Sequence, residues 1–575
     1  MEFTKEELGK LQSSMEFSRR KLQPFRRNQL AAVKQLVGKH YSDNGADDIV
    51  PVNYIELALN IYTQHLAARR PNVLITTGSK DLKPVAYKLA LDINWLLDEI
   101  KIQKELHKAV MQAMFSIGIM KIGLHNTLSV RLGGRDYPLG EPFARSVSLD
   151  NWVHDMSSSN WNEIQFCGDR YSVPVDDLKD MGLNKEFISQ LVPNDTSASI
   201  HEGDSEKTSS ISKENEMAQD KFRETVDLWD IWVPHKNVIV TIAEQVDIVG
   251  KTIEWEGPPT GPYHFLKFNE VIDNIMPLSP VSTWQDLHTL ANSLFRKLGR
   301  QANRQKKVTA VQGSADSDGN RIVKASDGDM IKVERPESIK DINTGGIDQM
   351  GLMFFLQVTE LANTHFGNLN AMGGLDTSAE TLGQDQLLTA NASKRLESMQ
   401  KNTIEFATAI TKDIGWYRWT DPVRSFPVTI KEYGVEQKSS ISILDRETDF
   451  YEYNFEIEAF SMQHQTPASR ASALMRVYEG VLAPASQQLA SQGIFINYEN
   501  FLNTLSKYIN LPELKDMLIY ANPQEQQEGS HGESVRMNPN TTRKYIREGR
   551  PGPSRQGNNR VLQQLVAASG QQGNQ

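Results

Sequence analysis

Apolar and polar positions alternate between two periods along this chain, and the switches between them mark its elements. Residues Glu6 to about Tyr41 read as a polar helix carrying Arg19, Arg20, Lys21, Arg26 and Arg27. A solvated or subunit-facing helix fits them better than a nucleic-acid site. From Asn53 to Arg69, Ile55, Leu59, Tyr62 and Leu66 fall on one helical face, and Pro71 ends the pattern. Asn72 to Thr76 reads as a strand. One long helix is predicted from about Leu82 to Ile117, then strands from Ile119 through Val147, a turn at Asp150 to Asp155 and a short helix from Val175 to Met181. Strands return at Thr225–Val233 and Val238–Ala243. Val226 and Leu228, then Ile231 and Val233, suggest one buried face with a bulge between. This body is α+β.

A different layout starts at Pro277. A helix from about Thr283 to Arg304, on the order of 33 Å long, carries Leu287, Leu290, Leu294 and Leu298 on one face. Arg296, Arg300 and Arg304 lie on roughly the opposite face, followed by Lys306 and Lys307. This basic stripe suits pairing with a neighbouring subunit or contact with DNA. Three strand-like runs follow, Lys307–Gln312, Arg321–Lys324 and Met330–Val333, joined by Asp-Gly turns. A second helix spans Asp348 to Phe366, with Met353, Phe354, Leu356 and Leu361 apolar. The next stretch, Gly367 to Leu382, holds Gly367, Asn368, Asn370, Gly373, Gly374 and Thr377, with Gly383 just beyond. That exceeds an ordinary connector and suits a functional loop. A long helix to Tyr417 has Leu387, Ala390, Leu396, Met399, Ile404, Ala407 and Ile410 on its apolar side. Strands follow at Phe426–Ile430 and Tyr451–Phe460, then a helical region from Pro467 to Ala521. Two helices that leave a body, turn in a small sheet and return gain little in one subunit. They make sense as the wall of a tube built from many copies.

Composition narrows the chemistry. The length, 575 residues, corresponds to roughly four domain-sized units. A net charge of −10 disfavours a general nucleic-acid coat but allows a channel in which DNA slides. The single cysteine, Cys167, excludes an internal disulfide and a multi-thiolate metal site. Residues 193–219 are Ser, Thr and charge rich and read as a mobile surface insertion. The charged opening lacks secretory character, and no apolar run reaches membrane-spanning length. No Walker loop, His-Glu-x-x-His or Gly-x-Ser-x-Gly occurs. Placing Gly319 at the turn of a calcium loop puts Ala325 where the bidentate Glu belongs, so Asp318-Gly319 reads as a hairpin turn. No catalytic, cofactor or metal residue is expected. After Pro523 the chain is a basic tail containing Arg543, Lys544, Arg547, Arg550, Arg555 and Arg560.

The order of elements, with the segment Val147 to Asp155 before the helix near Leu178, resembles a tailed-phage portal protein, most similarly the head-to-tail connectors of short-tailed phages. The likeness covers about Asn53 to Ala521 and is one of order rather than of a single motif. It implies a portal-type multidomain α+β subunit in a ring, usually of twelve copies, at one capsid vertex of the virion. Residues 1–276 would be the N-terminal region and α/β wing, 277–306 the first stem helix, 307–345 the clip and 346–366 the second stem helix. Residues 367–383 would be the tunnel loop, 384–466 the long helix and the rest of the wing, 467–521 the crown and 522–575 a flexible tail. The implied partners are terminase, a tail adaptor, capsid or scaffold proteins and double-stranded DNA in the channel, with no membrane and no cofactor. Leu287, Leu290, Leu294, Leu298 and Phe354 would form the stem interface. A nucleic-acid-processing enzyme and another structural ring or adaptor are the alternatives.

Overall fold

A computed structural model describes residues 3–41, 50–132, 135–193, 224–311, 320, 321, 324, 332, 339–344, 346–372, 382–432, 435–458, 461–462, 467–486, 501–502 and 505–506. The chain divides into two compact units, Met1–His464 and Gln465–Gln575.

The first unit opens with helix α1 (Lys5–Tyr41), α2 (Tyr54–Ala67) and strand β1 (Val73–Thr77). The α2 stripe read from the sequence is the buried one: Ile55, Leu59, Tyr62 and Leu66 are all enclosed. The long helix predicted next is two, α3 (Lys83–Glu99) and α4 (Ile102–Phe115). Lys101 between them is left-handed at φ 55°, a conformation without a sequence signature in a lysine. The break lets both apolar faces reach one core: Leu89, Ile93 and Leu96 from α3 pack in the same cluster as Leu106, Val110 and Met114 from α4.

Strands β2 (Gly118–Leu132) and β3 (Arg135–Val147) form a long antiparallel hairpin, joined on its other edge by β9 (Tyr263–Leu266). Between them in sequence lie β4 (Trp152–His154), β5 (Cys167–Pro174), helix α5 (Lys185–Gln190), β6 (Thr225–Val233), β7 (Val238–Ile242) and β8 (Lys251–Glu254). Their strands make a five-stranded antiparallel sheet in sequence order. The expected short helix is a 3-10 turn, Val175–Lys179.

The bulge expected in β6 is absent, because its register against β5 runs unbroken from Thr225 to Trp232. Both faces of the strand are covered instead. Val226 and Leu228 pack with Val173, Leu178 and Phe187, while Trp229, Ile231 and Val233 pack with Leu8, Leu11 and Met15 of α1. So α1 is more than a solvated helix. Arg19 pairs with Glu244 at 2.8 Å, and Arg26 donates to the carbonyls of Leu149 and Trp152.

A small hairpin, β10 (Asn269–Val271) with β11 (Asn274–Leu278), leads into helix α6 (Pro280–Arg304). Strand β12 (Lys306–Val311) pairs antiparallel with β13 (Ile339–Thr344). The partner of the first strand-like run is thus a segment outside the three runs read from the sequence. Its register sets Val308 opposite Ile342 and Val311 opposite Ile339. Asn320, Arg321 and Lys324 are helical rather than extended, and most of the third run lies outside the described residues. The chain returns through α7 (Gln349–His365), a single turn α8 (Leu369–Met372) and the long α9 (Leu382–Trp419). Strands β14 (Phe426–Glu432) and β15 (Val435–Ile441) form a hairpin, the second of them unanticipated, and β16 (Tyr453–Ile457) pairs with β1. The main core gathers α2, α3, α4 and α9 with β1, β16 and the roots of α6 and α7.

The second unit contains α10 (Pro467–Val477) followed by a π-helical turn, Tyr478–Leu482. The rings of Tyr478 and Phe501 lie 4.8 Å apart. The basic tail and the 193–219 insertion lie outside the described residues, apart from Pro193.

Candidate functional site

The α6–α7 hairpin is rooted in the body. Ser279 caps α6: its Oγ accepts the Ser282 N–H at 3.1 Å and donates to the Met114 carbonyl at 2.9 Å. Pro280 fills the first turn, where no N–H is needed. One turn on, buried Trp284 lies 5.5 Å from the Tyr62 ring and 5.2 Å from Phe366 at the end of α7. Asn292 exchanges two hydrogen bonds with the backbone of Val52, each 3.0 Å. Beside it, buried His288 is held neutral, its pKa lowered to about 4 by desolvation.

The two helices run antiparallel. Phe295 meets Phe355 at 5.4 Å, Leu298 lies over Gly351, and the Asp348 N–H donates to the Gln301 side chain at 3.3 Å. Asp348 also caps α7 by accepting from Met350 and Gly351. The contact buries Val358 and Ala362 of α7.

Six further apolar side chains of α7 are uncovered. Met350, Met353, Phe354 and Leu361 share one outer stripe, and Leu352 and Leu356 another; all are at least 40% exposed. A helix with exposed apolar stripes beyond the one its partner covers ordinarily belongs inside a larger body. On α6 the expected leucine stripe divides. Leu290 is exposed and Leu294 half-buried, but Leu287 packs on the main core and Leu298 is covered by α7. These two leucines already have partners within the chain: Leu287 sits at the root, against the core, and α7 returns along Leu298. Of the basic stripe, Arg296 is half-buried while Arg300 and Arg304 are exposed; neither of the latter has an ion-pair partner among the described residues. Lys306 and Lys307 open β12, and their side chains lie outside the described residues.

The exit from α7 is tightly specified. Gly367 (φ 97°) and Asn368 (φ 56°) are consecutive left-handed residues. The Tyr62 hydroxyl donates to the Phe366 carbonyl at 2.8 Å, and a Cβ on Gly367 would sit 2.5 Å from that hydroxyl. Part of the predicted loop is helical: Leu369–Met372, including the Asn370 backbone, forms α8, because the Asn368 carbonyl accepts the Met372 N–H and starts a new turn. Gly383 lies inside α9, while Gly373, Gly374 and Thr377 fall outside the described residues. Beyond residue 395, α9 buries Leu396, Met399, Ala407 and Ile410 as the sequence pattern implies. Leu387 and Ala390 have side chains outside the described residues.

No known protein-family model matches this chain, and no curated protein is recognisably similar to it in sequence.

The fold also groups charges that the sequence left scattered. Lys121 of β2 lies 2.6 Å from Asp169 and 3.5 Å from Asp230; Tyr263 donates to Asp169 at 2.6 Å and Arg145 reaches it at 3.2 Å. Tyr171 and Thr241 donate to Asp230. Burial pushes both tyrosine phenols up, so they remain donors. Every charge here is matched, and the cluster ties the β2 sheet to the five-stranded sheet. A second group joins Arg418 to Asp92 and Glu141, and Arg424 to Glu141 and Asp421. Burial raises the Asp92 pKa and Arg418 opposes it. Asp92, Glu141, Arg418 and Arg424 border an open cleft of about 860 Å³ between α3 and β14. Among the described residues, no three His, Cys, Asp or Glu side chains are grouped to hold a metal, and no helix is long and apolar enough to cross a membrane.

Proposed function

We propose that the chain is a portal subunit: many copies close into a ring at one capsid vertex of a tailed phage, and the α6–α7 hairpins line up as the stem of its DNA channel. The observation that carries this reading is the α7 surface. One face of the helix is satisfied by α6, and Met350, Leu352, Met353, Phe354, Leu356 and Leu361 are left in water. Neighbouring hairpins in a ring would cover these side chains, each copy meeting the next through different faces. The β12–β13 ribbon at the far end of the hairpin suits the clip, the docking place for terminase during packaging and for a tail adaptor afterwards. The segment between α8 and α9 suits the tunnel loop, and Arg300 and Arg304 suit pairing with carboxylates of a neighbour or brief contact with DNA.

The test is direct. Purified full-length chain is sized by light scattering and imaged by negative-stain electron microscopy. Rings with a central hole are expected. Compact monomers at micromolar concentration would overturn the proposal and favour an enzyme of unrecognised type.

A further inference from the structure

A second feature lies on the body and is independent of ring formation. A pocket of about 350 Å³ opens where β8 runs out beside the last turns of α9 and the β2–β3 hairpin. It is lined by Trp255, Trp416, Tyr417 and Leu124, with the exposed Glu254 and Glu256 beside them. The Trp416 and Tyr417 rings meet edge to face at 5.4 Å. Trp255 is fixed by its indole N–H, which donates to the Pro258 carbonyl at 2.8 Å, and by its backbone, bonded in both directions to Asn237. Gly257 completes the cradle. A Cβ there would strike the Trp255 ring and come within 2.6 Å of the Tyr417 hydroxyl, so a side chain at this position would displace the aromatic walls.

The lining has a clear sign. Three of its side chains are carboxylates, Glu254, Glu256 and Asp421, and none is Lys, Arg or His. Asp421 is matched by Arg424 at 2.6 Å. Glu254 is exposed and has no ion-pair partner among the described residues. Among the described residues, no cation stands over any of the three rings, although Arg418 and Arg424 both stand over nearby Phe426. Aromatic faces are electron-rich and attract cations, most strongly when the cation is also partly desolvated. We infer that this pocket binds an organic cation, a guanidinium or ammonium head held against Trp255, Trp416 and Tyr417 and neutralised by Glu254.

Such a head can come from a protein side chain or from a free polyamine, and calorimetry on the full-length chain distinguishes them. The probes are N-acetyl-arginine amide, spermidine and the neutral isostere N-acetyl-citrulline amide. At least one cation should bind saturably at millimolar concentration, with the citrulline compound about tenfold weaker. Tighter binding of the arginine compound assigns the site to a protein side chain, and tighter binding of spermidine to a polyamine. Trp416→Leu should weaken the preferred probe about tenfold. Glu254→Gln, at an exposed position, should weaken it about fivefold and flatten its salt dependence while leaving the thermal midpoint unchanged. Equal binding of citrulline and arginine compounds would make the pocket a plain apolar crevice. Absence of binding by both cations, or undiminished binding by Glu254→Gln, would overturn the inference. None of these results bears on whether the chain forms rings.

Discussion

The uncovered surface of α7 can be tested by comparing outward with inward truncation on the same hairpin. Met353 and Phe354 are 53% and 47% exposed. Fully burying such a side chain contributes about 1.5–3 kcal/mol, so covering the remaining half of each contributes about 1 kcal/mol. Met353→Ser with Phe354→Ser should therefore weaken each subunit contact by about 2 kcal/mol, roughly 30-fold in its equilibrium constant. A closed ring repeats that loss at every contact, so ring yield should collapse at concentrations where the unmodified chain assembles. The protomer itself should keep its thermal midpoint, because these side chains contribute little to its own core. Leu298→Ala should behave in the opposite way. Leu298 is 7% exposed and lies against α7, so its truncation opens a cavity costing about 2–5 kcal/mol and lowers the unfolding midpoint. Light scattering measures the first effect and differential scanning fluorimetry the second. If the double serine variant forms rings at full yield, the α7 surface is not a subunit contact and the stem assignment fails.

Three further outcomes follow from individual contacts. Gly367→Ala should destabilise the body by at least about 1–2 kcal/mol, because it forces a Cβ onto a left-handed residue and against the Tyr62 hydroxyl, whereas Tyr62→Phe should cost about 1–3 kcal/mol by leaving the Phe366 carbonyl unpaired; both are read by urea unfolding. Asp169→Ala should cost about 3 kcal/mol by taking from Lys121 its nearer carboxylate, with Asp230 left at 3.5 Å, and from the Tyr263 hydroxyl its acceptor; the loss is visible as lower expression and a lower thermal midpoint. His154 and His288 are held neutral in the fold, their pKa values lowered by burial from 6.5 to about 3 and about 4. The unfolded chain therefore binds more protons below about pH 6.5. Stability falls as pH drops from there towards 4, each histidine removing about 2 kcal/mol by pH 5. His288→Gln should shrink the difference between urea unfolding at pH 7.5 and pH 5 by that amount; an unchanged difference would show that His288 is not desolvated.

Elements specified by their own residues were legible in the sequence. The α2 stripe, the β6 and β7 strands, the buried positions of α9 from Leu396 onward and the two helices of the hairpin all follow from local periodicity. What stayed hidden depends on partners distant in the chain. Nothing in Lys101 marks the left-handed residue that parts α3 from α4; only the need to bring two apolar faces to one core selects it. The β1–β16 pairing joins Val73 to Ile457, and no local pattern can name such a partner. Periodicity placed Leu290 and Leu298 on one face of α6, but it could not say that α7 would cover one and leave the other in water. The Lys121–Asp169–Asp230 cluster and the Trp255–Trp416–Tyr417 pocket are likewise products of strand and helix placement, since their members are scattered in sequence.

The hairpin combines two surfaces that would be liabilities on an isolated subunit. An apolar α7 invites uncontrolled association. Arg300 and Arg304 add positive charge to a chain whose net charge is −10. On the proposed reading each surface restrains the other. Apolar burial supplies contact energy without direction, because it follows area alone. Like charges on adjoining hairpins penalise any arrangement that brings two arginine stripes together, so the favoured contact sets the stripe of one copy apart from that of the next. A ring with the stripes held apart spreads its cations instead of gathering them in one place. DNA passing through such a channel releases few counterions at any one place, and so is guided rather than held.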